Sequence, residues 1–277
     1  MRQMAILAPA LVVAIAWACL AQTPPATAPA PAVAPASQPA TAPAVEPATL
    51  KILEGLEQAG KDHPALRAEM TYTVVDPILE TKDIRHGWVA FQRGAGEQSD
   101  RFRIHFADRQ MEGEAPVVDK IDYAFDGAWL TVVKHSIANM KRYQYAAKGE
   151  RVPLSLRGPF PLPFGQPVSE VLSLFEPTTT APPGAAKGPD GTTYVRLTTR
   201  PDAKKDLRFR TLEMWVDAKL NLPVQIVAVE DKKKTLTIAF KDVQTPAKVE
   251  DDVFVMPKLP GYSLSEERWQ GSTDLKP

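Results

Sequence analysis

Apolar residues recur along this chain at two spacings, and the change from one to the other marks the start of a sheet. Leu50, Leu53 and Leu56 fall three residues apart, the period of a helical face, and Gly60 supplies a stop. From Leu66 the period drops to two. The stretches LRAEMTYTVVD, DIRHGWVAFQR and DRFRIHFAD read as three successive strands. In the third, Phe102, Ile104 and Phe106 share one face while Arg101, Arg103 and His105 share the other. Such strict alternation predicts a sheet with one apolar face. KIDYAFDGAWLTVVKH continues the pattern around Asp126-Gly127, the strongest hairpin signal in the chain, and KRYQYAA extends it.

The middle of the chain breaks the pattern. VPLSLRGPFPLPFGQP sets five prolines among bulky apolar residues, which rules out a central strand. Residues 168–175 form a short apolar helix bounded by Gln166-Pro167 and Glu176-Pro177, and TTTAPPGAAKGPDG is a loop. Alternation then returns in TTYVRLTTRP, FRTLEMWVDA, LPVQIVAVED and KTLTIAFKDV. The lysines at 232–234 read as a solvated hairpin tip rather than as a binding patch. VEDDVFVMPKLPGYSLSE closes the chain as a helical turn and a terminal strand. The expected fold is α+β but mainly β: an antiparallel meander of some nine strands with a few short helices.

Charge narrows the partners. The chain of 277 residues carries 33 basic and 33 acidic side chains, a balance that gives no electrostatic reason to expect nucleic acid or an anionic membrane surface as partner. Residues 1–21 have the form of a secretory signal: Arg2 near the start, an apolar stretch, then small residues at Ala16, Ala18 and Ala21. The apolar stretch is shorter than the roughly 18 residues of a membrane-spanning helix. Cys19 is the only cysteine, so no internal disulfide is expected. Two readings of it stand: the acylated first residue of a lipoprotein, or part of a cleavage site that is discarded. Residues 22–48, rich in Ala and Pro, form a semi-extended linker, followed by a folded domain over 49–270 and a tail over 271–277.

Catalytic patterns are absent from the sequence. His63, His86, His105 and His135 show no metal-binding spacing, and there is no G-x-S-x-G elbow and no phosphate loop. The expectation is a protein that is not an enzyme and has no cofactor or metal.

Over residues 50–265 the order of elements resembles the periplasmic lipoprotein carriers of the LolA type and the related outer-membrane receptor LolB. A helix leads into LRAEMTYTV, and GWVAFQR stands where that family has a glycine, aromatic and basic strand. FDGAWLTVV is similar to its D-G hairpin, and LEMWVDAKLNLPVQIVAVED to its paired strands around a D-x-x-x-x-L/I-P turn. KTLTIAFKDVQTPAKVEDDVFVMPKLPGYSL resembles its closing strand, acidic turn and phenylalanine-then-proline ending.

The resemblance implies a curved antiparallel sheet forming an unclosed barrel, its concave side covered by short helices, with an apolar cavity between them for acyl chains. It implies acylated lipoproteins or lipids as partners, inner-membrane donor and outer-membrane acceptor proteins, a periplasmic monomer, and transfer across the periplasm to the outer membrane. Met214 and Trp215 must face opposite ways on one strand, and Leu212 and Val216 share the Met214 side, so Met214 is the expected cavity residue. Trp88, Phe102, Ile104, Phe106, Tyr123, Phe125 and Trp129 are further wall candidates; the alternative for each is an ordinary core residue beneath the helices. Arg93 matches the position of a family arginine at a strand end, with Gly94 in place of the family's proline, and is a candidate rim charge. Leu154, Leu156, Phe160, Leu162 and Phe164 are candidates for a lid. The same fold occurs in proteins resembling RseB, so an envelope sensor or regulatory interaction domain is the alternative function.

Overall fold

The computed structural model describes residues 45–145, 165–182, 188–205, 207–231 and 233–268. They belong to one compact unit that begins at Ala44. The signal, the linker up to residue 44, Cys19 and the five lid candidates lie outside the described residues.

Helix α1 spans Pro47–Asp62 and buries Leu53, Leu56 and Ala59, one face of the three-to-four spacing. Pro47 occupies its first turn, where no backbone donor is needed, and Pro64 ends it by forcing the preceding residue out of helical backbone. The chain then enters β1 (Ala65–Asp76), β2 (Thr81–Gln92), β3 (Arg101–Met111), β4 (Val117–Phe125), β5 (Trp129–Lys134) and β6 (Asn139–Gln144). Helix α2 (Val168–Leu174) leads into β7 (Phe175–Thr178), β8 (Thr192–Thr199), β9 (Phe209–Asp217), β10 (Pro223–Glu230) and β11 (Thr235–Gln244). A single helical turn at Asp251–Phe254 and strand β12 (Ser263–Glu267) follow.

Among the described residues, all twelve strands belong to one sheet, in the order β12-β6-β5-β4-β3-β2-β1-β11-β10-β9-β8-β7. Two meanders are joined where β1 pairs with β11, and every pairing is antiparallel except that of β12 with β6. The edge strands β12 and β7 are not paired with each other, so the curved sheet is an unclosed barrel.

The described residues hold more than the nine or so strands expected; β6 and β12 lie where the pattern allowed strands, and β7 is the addition. Strand β6 follows β5 through a tight turn at His135–Ile137, as the KRYQYAA pattern allowed. Strand β7 takes Phe175 out of the expected helix; its Pro177 is tolerated because β7 is an edge, bonded only to β8. Strand β12 pairs with a partner more than a hundred residues earlier, which no local pattern announces.

The inner face carries the main core. Ala68, Met70, Val89, Phe91, Phe102, Ile104, Phe106, Met214, Ile226 and Ile238 meet Leu53 and Leu56 of α1 and Val171 and Leu174 of α2. Each such fully buried side chain contributes about 1.5–3 kcal/mol relative to exposure. The outer face has a smaller cluster, Ala65, Ala90, Val249 and Phe254. The segment after β11 crosses this face: Val249 N donates to Gln92 Oε1 at 2.9 Å, Arg103 donates to the Val253 carbonyl, and Tyr262 reaches His135.

Candidate functional site

Strand pairing gives the sheet two ends. At one, α1 is wedged against the β9–β10 turn and the end of β2. A Cβ on Gly55 would sit 3.1 Å from Asn221 Oδ1, and one on Gly60 would sit 2.3 Å from the Gly165 Cα. Only glycine at 60 allows that backbone approach. Glu57 of α1 accepts the Val168 N–H at the start of α2 at 2.8 Å, tying the two helices together. Turns β1–β2, β3–β4, β5–β6, β8–β9 and β10–β11 lie at the opposite end, which we call the turn end.

From the helix end to the turn end, the inner face changes character. Phe102, Phe125 and Tyr145 form one aromatic row, with ring centroids 5.8 Å and 5.9 Å apart. Val89 and Ile104 follow, both fully buried. A second row is Tyr72, Phe106 and Tyr123, at 5.4 Å and 6.3 Å. Tyr72 and Phe106 stand on strands either side of β2 and can touch because Gly87, paired with both Met70 and Phe106, has no side chain to separate them. Tyr72, Tyr123, Val74 and Val132 are only half-buried, so this row is the margin of the core. Burial pushes the Tyr72 hydroxyl up to about 12 and raises those of Tyr123 and Tyr145. All three side chains therefore stay neutral at physiological pH.

Beyond the tyrosines the inner face becomes ionic. Arg85 lies directly across from Tyr72. Its guanidinium bonds Asp119 at 3.0 Å and lies 3.8 Å from Asp83, which in turn accepts Arg109 Nε at 2.8 Å. Arg109, Asp83, Arg85 and Asp119 thus form an alternating chain of charge across β3, β2 and β4. Sequence reasoning did not select these residues. The visible signal was the alternation of β2 itself, which places Asp83 and Arg85 on the face of Val89 and Phe91.

Six of the eight wall candidates converge. Phe102, Ile104, Phe106, Tyr123, Phe125 and Met214 all belong to the inner cluster, and Trp215 faces outward against Tyr194 as the alternation requires. Trp88 and Trp129 are not with them. Trp88 packs on the outer cluster, stacks on His105, and has Arg67 and Arg103 against its ring at 5.8 Å and 5.3 Å. Trp129 is opposite in phase to Leu130 and Val132 of the inner cluster and carries the Arg142 guanidinium at 4.7 Å. Both strands are apolar on both phases at these points, so alternation alone did not choose a side. Arg93 lies at the helix end, where Nη2 donates to the Gly165 carbonyl at 3.2 Å. The arginines at the turn-end margin are Arg85 and Arg109.

The outer face holds a polar cluster of its own. Asp122 is almost inaccessible, accepting from Arg103 Nη2 at 2.9 Å and meeting His105 Nδ1 at 3.0 Å and His135 Nε2 at 2.8 Å. His135 Nδ1 lies 2.9 Å from the Tyr262 hydroxyl. Burial alone would raise the Asp122 carboxyl, but the hydrogen bonds from His135, His105 and Arg103 bring it below its ordinary value. Among the described residues, no group of His, Cys, Asp or Glu is arranged to hold a metal ion. The cluster locks the C-terminal crossing to the sheet.

No protein-family model matches the chain, and no curated protein matches it in sequence. Solved structures similar to it include the MucA/MucB complex of Pseudomonas aeruginosa, at 13% identity and a TM-score of 0.40, covering 76% of this chain and 61% of that one. The chain thus spans about three fifths of the MucB chain it matches. A conserved protein from Thermus thermophilus is similar at 11% identity and a TM-score of 0.43, covering 79% of this chain and 99% of that one. A LolA superfamily protein from Nitrosomonas europaea is similar at 12% identity and a TM-score of 0.36, covering 75% and 97%. LolA superfamily proteins are thus among the structural neighbours of this chain.

Proposed function

We propose that this chain is a non-enzymatic carrier or receptor that shelters acyl chains of lipids or lipoproteins against the inner face of its sheet. The observation that supports the reading is the order of that face: an apolar floor under two helices, then a half-buried margin of Tyr72, Tyr123, Val74 and Val132, then the Arg109–Asp83–Arg85–Asp119 chain. An amphiphile has the same order, tail to head. Each methylene withdrawn from water contributes about 0.8 kcal/mol, so a long tail needs apolar area and no fixed reactive group. The tyrosines offer amphipathic surface where tail gives way to head. Arg85 and Arg109 are placed to meet an anionic or carbonyl head group by exchanging one of their carboxylate partners.

In this reading the protein is exported to the cell envelope. Its N-terminus is cut within the first 21 residues, and Cys19 decides whether it diffuses or is anchored. Fractionation of Cys19→Ser against the unaltered protein separates these: a shift from membrane to soluble fraction identifies an anchor, and a soluble distribution unchanged by the substitution identifies a diffusing carrier.

Binding is tested by titrating the purified protein with a fluorescent long-chain fatty acid and competing with an acylated lipopeptide. Saturable binding that weakens roughly tenfold or more in Tyr123→Glu and Val132→Glu supports the proposal, because a buried charge beside the tail is costly. Ile104 and Met214 are unsuitable positions for a charge: both are fully buried, and the substitution would unfold the sheet. Saturable binding unaffected at both margin positions counts against the inner face. A protein with no acyl affinity that instead holds one membrane-anchored partner in fixed ratio is a sensor.

A further inference from the structure

The exposed apolar side chains of this protein are not scattered. Of the eight large hydrophobic residues exposed among the described residues, six (Val75, Ile78, Leu79, Val117, Val118 and Ile137) lie in or beside the turns at the turn end. The other two, Val255 and Leu264, lie on the C-terminal segment. Ile78 and Leu79 are the sharpest case, at 65% and 69% exposure. Single exposed apolar residues are ordinary, but a set gathered at one end of a sheet is not. The turn that carries this pair is held by local hydrogen bonds: Asp76 Oδ1 accepts the backbone N–H groups of Ile78 and Leu79 at 3.0 Å and 3.1 Å.

Beside that turn is a cavity of about 610 Å³, walled by Ile78, Leu79 and Leu207 and edged by charge. Its lining holds five cations (Lys204, Lys205, Arg208, Arg210 and Lys234) against three carboxylates (Asp76, Glu230 and Asp231). The carboxylates are occupied. Glu230 pairs with Arg208, Asp231 with Arg210, and Asp76 is held by its own turn. Lys204, Lys205 and Lys234 form no ion pair with a described residue, and the first two are exposed. Lys233 stands exposed at the tip of the same hairpin as Lys234.

The geometry points to this end as a docking surface for a bilayer carrying anionic head groups. The apolar turn residues enter the interface while the unpaired lysines meet the phosphates, the combination that holds peripheral proteins on membranes. Charge complementarity selects an anionic surface over a zwitterionic one, because the cavity lining carries two more cations than carboxylates although the whole chain is balanced. The inference extends the carrier reading: it brings the tyrosine margin and Arg85 to the membrane side, so a tail would pass between sheet and bilayer without crossing water. Docking itself requires no acyl binding, so the two fail separately.

The test is co-sedimentation of the mature chain from residue 22, free of the apolar leader and of any acyl anchor at Cys19, with phosphatidylcholine vesicles with and without one third phosphatidylglycerol. Binding is expected on the anionic vesicles and is expected to weaken with salt. Lys204→Gln, Lys205→Gln and Lys234→Gln together are expected to weaken it about a hundredfold, at about fivefold per lysine. Ile78→Ser with Leu79→Ser is expected to weaken it roughly tenfold. All five positions lie at the surface, and both variants are expected to keep their far-ultraviolet spectrum and their affinity for the fluorescent fatty acid. Equal binding to both kinds of vesicle, no binding to either, or anionic binding unchanged in both variants overturns the docking surface. Loss of fatty-acid affinity in the unaltered chain overturns the carrier reading and leaves the docking result standing.

Discussion

On the inner face of the sheet, Met214, Ile104 and Phe106 are held by contact with other apolar side chains; on the outer face, Asp122 is buried as deeply by two histidines and an arginine. The first kind of packing has no preferred direction and tolerates a change of shape at constant volume. The second depends on particular atoms at particular distances. On the proposed reading, a face that accepts tails of different length is suited by the first, and a face that holds its crossing segment in place is suited by the second. The two are separated by one sheet thickness and by the phase of single residues: Trp215 beside Met214, Asp122 between Ile121 and Tyr123.

Substitutions on each face sharpen this contrast. The largest effect is expected for Asp122→Ala, which leaves Arg103, His105 and His135 facing a void; urea unfolding should show a loss of about 3–5 kcal/mol. Acyl affinity measured well below the transition should be unchanged. Next come substitutions at constant volume, one on each face. Asp122→Asn should lose about 1.5–3 kcal/mol because charge-assisted bonds are weakened, whereas Met214→Leu should lose under about 1.5 kcal/mol. Equal losses would break the comparison.

Acid dependence gives a third, smaller effect. The Asp122 carboxyl titrates below its ordinary value in the folded protein, so its contribution is present above the unfolded pKa of about 3.9 and is lost as pH falls through the folded value. The stability gap between the unaltered protein and Asp122→Asn should therefore be widest near neutrality and narrow below about pH 4. A gap that widens on acidification contradicts the assignment. The smallest effect belongs to the edge: Arg142 and Glu266 meet at 2.9 Å between β6 and β12, but both are well exposed, and Glu266→Ala should cost no more than about 1 kcal/mol.

How much of this was readable beforehand follows the same division. Where one phase of a strand is apolar and the other charged, as in Arg101–Phe106, the sequence already showed which residues turn inward. The turns were legible too. Asp126 accepts the N–H groups of Ala128 and Trp129, and Asp217 those of Lys219 and Leu220, the local bonds that Asp in a turn suggests. Trp88 and Trp129 were illegible because Ala90 and Val133, in phase with them, are also apolar and also buried. Those outward residues can be apolar because parts of the outer face are covered, Ala90 by Val249 and Phe254 from the far end of the chain. The Asp122 cluster was equally hidden: His105, His135 and Tyr262 come from three distant segments, and no spacing joins them. The Asp83–Arg85–Asp119 chain lay in plain phase with the core but reads as ordinary strand polarity until the register is known.

Native mass spectrometry of the protein, purified from its host without detergent, tests the central claim most directly. The account predicts a population carrying one acylated species, absent from Tyr123→Glu and Val132→Glu preparations whose folding is intact. An empty protein that accepts no acyl chain when offered one, or an acylated species retained in both variants, would contradict the assignment of the inner face.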